Sequence, residues 1–156
     1  MPSSPGADQS GFHATCVARG PHGILIAGPS GSGKSDLALR LLDAGWRLVA
    51  DDRVILQRHN GLLIARAPET IRALIEVRGV GVVRLQNSDV AAEARVMGML
   101  RLVAERRDVP RLPEPTVETL AEVAVPSIPF HPFELSAPAK AGLFLDLLLE
   151  PGRRVE

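Results

Sequence analysis

Apolar residues recur along the chain in short runs broken by glycine, proline or charge, a pattern of many short strands with few helices. Residues 12–18 form the first run, and Gly20-Pro21-His22-Gly23 turns it into the second, Gly23-Ile24-Leu25-Ile26-Ala27. The two predict a β-hairpin. Leu37, Ala38, Leu39, Leu41 and Leu42 follow as a helix that is apolar over much of its circumference, stops near Ala44-Gly45 and lies buried against a sheet. Trp46-Arg47-Leu48-Val49-Ala50 reads as a strand delivering Asp51 and Asp52 at its carboxyl end, where open α/β sheets place ligand chemistry. Residues 54–58 and 62–65 flank His59-Asn60-Gly61 as a hairpin whose tight turn is Asn-Gly.

The second half is less regular. Residues 68–74 can form one or two helical turns with Pro68 early. Residues 75–83 are a β-branched run broken by Gly79 and Gly81, the mark of a bulge or a close backbone approach, with Glu76 just before the break. Residues 95–104 read as a strand, with helix as the alternative. Six prolines between Asp108 and Pro132 predict a winding segment with at most short strands around 120–125 and Ile128. Residues 137–150, with Pro138 at the start and Pro151-Gly152 beyond, predict a C-terminal helix. There is no internal repeat. The organisation is a disordered lead-in at 1–10, one domain over 11–150 and a tail at 151–156.

Composition narrows the classes. The 156 residues carry 18 basic and 18 acidic side chains, four Phe, one Trp and no Tyr. With no basic block interleaved with aromatics, nucleic acid is not an expected partner. A single cysteine, Cys16, excludes an internal disulfide and a cysteine-only metal site, and reads as a small apolar core residue in a reducing compartment. Residues 1–10 lack a basic start and an apolar core of the secretory type, and no run approaches the roughly 20 residues that span a bilayer. A soluble, cytoplasmic protein with no membrane partner is expected.

The chemistry centres on Gly28-Pro29-Ser30-Gly31-Ser32-Gly33-Lys34-Ser35, which fits the phosphate-binding loop pattern G-x-x-x-x-G-K-[ST] between a predicted strand and a predicted helix. Glycines let the backbone curl so that successive N–H groups face phosphate oxygens, and the helix start adds its dipole. Lys34 then reaches the terminal phosphates and the Ser35 hydroxyl ligates Mg²⁺. The bland reading is a Gly/Ser turn between strand and helix. The loop alone does not choose between kinase, hydrolase and switch.

Asp51 and Asp52 fall 17 and 18 residues beyond Lys34. Neighbours on an extended chain point to opposite faces, so the two acids should divide their work. One can hold Mg²⁺ while the other takes a proton from an attacking hydroxyl. Alternatively they start a turn and cap the next segment. His13, on a strand expected to pair with the one feeding the loop, can hydrogen-bond an aspartate, contact phosphate or serve structure alone. His22, His59 and His131 occupy turn-like contexts facing solvent.

Taken together, His13, the phosphate loop, Leu48-Val49-Ala50-Asp51-Asp52-Arg53-Val54 and Glu76-Val77-Arg78-Gly79-Val80-Gly81-Val82 resemble the HPr kinase/phosphorylase family over about residues 12–132, in the short form that carries the catalytic domain only. The resemblance implies an α/β fold with a phosphate loop and a mixed, phosphoenolpyruvate-carboxykinase-like sheet with flanking helices. It implies ATP-dependent phosphorylation of a serine on the phosphocarrier HPr, and phosphorolysis in reverse. Carried over, Asp51 is the proton acceptor assisted by His13, Lys34 holds the β- and γ-phosphates, Ser35 and Glu76 ligate Mg²⁺, Asp52 supports the metal, and Arg111 is a catalytic arginine. By microscopic reversibility the acceptor of the forward step donates in the reverse one. The family's homohexamer would be a further expectation. The chain departs from the pattern at Ile128-Pro129-Phe130-His131-Pro132-Phe133-Glu134-Leu135, where long members carry a Pro-Gly-Arg-Asn-type loop tied to dephosphorylation. The alternatives are a small-metabolite kinase, disfavoured by the hairpin at 54–65 and the shortage of helices, and a non-catalytic nucleotide-binding regulatory module.

Overall fold

A computed structural model describes residues 11–155; the expected lead-in at 1–10 and residue 156 lie outside the described residues. Strands β1 (Thr15–Arg19) and β2 (His22–Ala27) form the expected antiparallel hairpin, and β3 (Arg47–Ala50) pairs antiparallel with β1 on its other side. Two antiparallel steps return β3 to the direction of β2. Strand β8 (Ala94–Leu102) lies parallel to β2, and β10 (Val123–Phe130) parallel to β8, with β9 (Thr116–Leu120) antiparallel at the edge. The order β3-β1-β2-β8-β10-β9 therefore brings the carboxyl ends of β3, β2, β8 and β10 to one rim of a mixed sheet. That rim carries the phosphate loop and the paired aspartates.

Period-two alternation splits the strands between two cores. Val17, Ile24, Ile26, Leu48 and Leu100 face helix α1 (Lys34–Asp43) and helix α2 (Ala137–Leu149), with Leu37, Leu41, Phe144 and Leu145 returning the contact. Cys16, Leu25, Val49 and Met99 face the opposite way, under the hairpin of β4 (Ile55–His59) and β5 (Leu62–Arg66). This hairpin joins the sheet at the start of β8, where Ile64 and Ala65 pair with Arg95 and Ala94. Asn60 and Gly61, both at positive φ, make its tight turn as expected. Each fully buried Leu or Ile side chain contributes on the order of 1.5–3 kcal/mol.

Three expectations need correction. Residues 12–18 are not one strand: Phe12 exchanges both backbone hydrogen bonds with Val54, and Ala14 N–H turns back to the Phe12 carbonyl, so the chain bends at His13 and β1 starts at Thr15. Gly79 and Gly81 mark neither a bulge nor a close approach. Gly79 lies in the turn and Gly81 opens the returning strand of a separate two-stranded hairpin, β6 (Leu74–Val77) with β7 (Gly81–Arg84), where φ values of 87° and 131° need glycine and nothing crowds a Cβ. The winding segment at 108–132 contains the eight-residue β10 despite Pro126 and Pro129. Pro126 lies where β10 pairs only with β9, and Pro129 where it pairs only with β8, so each proline has one flank without a ladder. Helical turns expected at 68–74 reduce to a 3₁₀ turn at Glu69–Ile71, and the tail forms another at Pro151–Arg153. Among the described residues no helix is long and apolar enough to cross a membrane.

Cys16 is fully buried, and desolvation pushes its thiol up from 9.0 to about 12. An alkylating reagent at mildly alkaline pH is expected to leave the native protein unmodified and to label it once denatured, as intact-mass measurement would report. The unfolded thiol ionises first. The stability associated with the protonated buried thiol is therefore complete below 9.0 and lost as pH rises towards about 12, which denaturant titration across that window checks.

Candidate active site

Strand β2 ends at Ala27, and the loop that follows curls because its glycines permit it. Gly33, at φ 104°, caps α1 in the left-handed region, and Gly31 has φ 81°. A Cβ on Gly28 would stand 2.6 Å from the Ser32 hydroxyl, and one on Gly33 would stand 2.8 Å from the Phe133 ring. The cradle excludes side chains at both places. Lys34 is nearly buried, its ammonium donating to the carbonyls of Gly28 (2.9 Å) and Pro29 (3.1 Å) and lying 3.6 Å from Asp52 Oδ1. Ser32 Oγ is buried without a hydrogen-bond partner among the described residues, a polar atom placed within the loop's own curl.

The two aspartates, just past the end of β3, diverge. Asp51 is buried, and three donors converge on its carboxylate: the hydroxyls of Ser35 (2.6 Å) and Thr15 (3.0 Å) reach Oδ1, and the Glu76 backbone N–H (3.0 Å) reaches Oδ2. It ties the loop, β1 and the β6–β7 hairpin to one point. Asp52 adopts φ 66°, a left-handed conformation uncommon outside glycine, asparagine and aspartate. That turn sends its carboxylate away from Asp51 into the open, 57% exposed, where Oδ1 lies 2.8 Å from His13 Nε2. His13 thus meets Asp52 and not Asp51, correcting the expected pairing, and it does so from the bend before β1. The Thr15 hydroxyl holds both acids in register, donating to Asp51 and accepting the Asp52 N–H at 3.0 Å.

A cleft of about 410 Å³ opens over the start of α1. Lys34, Ser35, Asp52, Glu76 and Arg78 give it a polar side, and Leu39, Val77 and Phe133 an apolar one. The structure brings together every residue of the expected site except Arg111, which is exposed in the irregular stretch before β9 and is not among the residues lining the cleft. Pro110 and Pro113 keep that stretch out of regular structure. Three contributors escaped the sequence reading. Thr15 was hidden in an apolar run, although a lone hydroxyl on a buried strand is a signal. Arg78 carries no signal in the sequence beyond its place in the run at 76–82. Phe133 belongs to the stretch at 128–135 that departs from the family pattern.

That segment, residues 131–136, straps β10 to α2 alongside α1. Arg40 of α1 donates to the carbonyls of Pro132 and Glu134. Glu134 accepts from Lys140 at 2.7 Å and has Arg106 3.7 Å away, and the Lys140 hydrogen bond leads the effects that hold its carboxyl below the usual carboxylate range.

Residues 6–127 match the family model of the HPr serine kinase C-terminal domain. The chain belongs to that family. The HPr kinase/phosphorylase of Latilactobacillus sakei is 32% identical over 152 residues, covering 92% of this chain and 46% of that protein. The HPr kinase/phosphorylase of a Geobacillus strain is 44% identical over 84 residues, covering 53% of this chain and 27% of that protein. The chain thus spans less than half the length of these relatives. Among solved structures, the Hpr(Ser) kinase/phosphatase of Coxiella burnetii superposes with a TM-score of 0.73 at 27% identity, covering 91% of this chain and 95% of that one. The expected mixed α/β sheet of the family's catalytic domain is borne out.

Proposed function

We propose that this domain transfers the γ-phosphoryl group of ATP to a serine hydroxyl of an HPr-type phosphocarrier protein, in the cytoplasm, with Asp52 as the general acid/base. The observation that carries the reading is the division of the two aspartates: Asp52 faces the cleft between Lys34 and His13, while three donors occupy Asp51 beneath the loop. This exchanges the roles expected from sequence. Asp52 accepts the serine proton as the serine oxygen bonds to the γ-phosphorus and the bond to ADP breaks. His13, 2.8 Å from Oδ1, orients the carboxylate and leaves Oδ2 to take the proton. Lys34 swings from the loop carbonyls to the β- and γ-phosphates, whose charge its ammonium offsets.

The donor set fits Mg²⁺. Ser35 and Asp51 form the hydroxyl–aspartate pair that phosphate-loop enzymes use, and Glu76 adds a carboxylate from the hairpin. When bound, the cation neutralises charge on the transferring phosphates. In the reverse direction Asp52 returns its proton to the serine oxygen, so phosphorolysis needs no second acid.

The test is incubation with labelled ATP, Mg²⁺ and purified HPr, followed by mapping of the modified site. A phosphoserine on the carrier is expected. Label found only on a small metabolite would instead assign the domain to metabolite kinases.

A further inference from the structure

Phe133 stands on the cleft's rim, 59% exposed, with its ring against Gly33. Its backbone and its ring are both contacted by neighbours. Arg40 grips the carbonyls on either side of it, Pro132 and Glu134. The His131 and Phe133 rings form a T-shaped pair, with centroids 5.9 Å apart at 76°, and His131 Nδ1 lies 3.3 Å from the Val103 carbonyl. A large apolar ring left exposed beside a phosphate loop offers a surface to something flat.

The sheet order says what. Asp52, where the phosphoryl group leaves in the proposed reaction, follows β3, two strands to one side of β2; Phe133 follows β10, two strands to the other side. A triphosphate lying along the loop with its γ end at Asp52 directs its other end towards Phe133. We infer that Phe133 is the stacking platform for the nucleobase, with Leu39 of α1 beside the ribose, an inference that rests on the proposed nucleotide reading. Stacking tolerates any base, because every base has a π-face. The domain should therefore bind GTP nearly as well as ATP.

Calorimetric titration of the whole chain with ATP and with inorganic tripolyphosphate, each with Mg²⁺, tests this. Phe133→Ala and Phe133→Leu are expected to weaken ATP binding roughly 5- to 150-fold and to leave tripolyphosphate binding unchanged, whereas Phe133→Trp keeps ATP affinity. Phe133→Leu preserves an apolar contact on Gly33, which separates stacking from loop packing. Unchanged ATP affinity in Phe133→Leu overturns the platform, as does an equal change in both ligands, which would make Phe133 a support or a plug for the phosphate loop. Wild-type protein that binds neither ligand overturns the nucleotide reading itself.

Discussion

Asp52→Asn is expected to lower phosphotransfer to the protein serine by roughly 10²- to 10⁴-fold, the range a general base contributes, while ATP binding persists. The substitution is conformationally mild because asparagine tolerates the left-handed backbone as aspartate does, and Asp52 has φ 66°. It removes a negative charge that sits 3.6 Å from Lys34 and faces the incoming γ-phosphate, so nucleotide affinity should hold or rise. Asp51→Asn makes the contrast. An amide there must present its NH₂ to one of three converging donors, from Ser35, Thr15 and the Glu76 backbone. A buried donor left unpaired costs about 1–3 kcal/mol, so this variant should lose stability and Mg²⁺-nucleotide binding together with activity. Single-turnover transfer rates beside calorimetric ATP affinities distinguish the two. If Asp52→Asn transfers at near wild-type rate while Asp51→Asn binds ATP and fails to transfer, the exchange of roles proposed here is wrong.

The contrast between these two residues also shows where sequence stops being informative. The phosphate loop, the strand delivering both acids and the Asn-Gly hairpin are local features, legible because turn chemistry and periodicity are written in adjacent residues. That the acids face different ways depends on the left-handed turn at Asp52, just past the end of β3. Which of them meets His13 depends in turn on a bend created by the pairing of Phe12 with Val54, a contact across some forty residues of chain. The same holds for β10. Its prolines argue against a central strand until the staggered overlap of β8 and β9 is known, with Ser127 alone paired on both sides. Phe133 was illegible for a related reason: its partner Gly33 is a hundred residues away.

Gly98→Val is expected to destabilise the domain by roughly 1–3 kcal/mol or more, the usual cost of overpacking a filled core. Gly98 lies in the middle of β8, paired with Ile24, and a Cβ there would stand 2.6 Å from Leu148 Cδ1 and 2.9 Å from the Phe144 ring. Both belong to α2, so the missing side chain is what lets the helix seat on the sheet. With roughly 2–4 °C of melting temperature per kcal/mol in a domain of this size, the drop should be about 2–12 °C, readable by calorimetry. Gly98→Ala should cost less, and pairing it with Leu148→Ala should cost less than the sum of the single changes, because the second removes an atom that the first collides with. The consequence reaches the candidate active site. Helix α2 begins where the strap ends, and Lys140 in its first turns holds Glu134 while Arg40 holds the carbonyls around Phe133. A helix pushed off the sheet by the added side chain pulls on that strap. ATP affinity should therefore fall in the folded variant while tripolyphosphate affinity stays, even though Gly98 is packed against α2 and lines no part of the cleft.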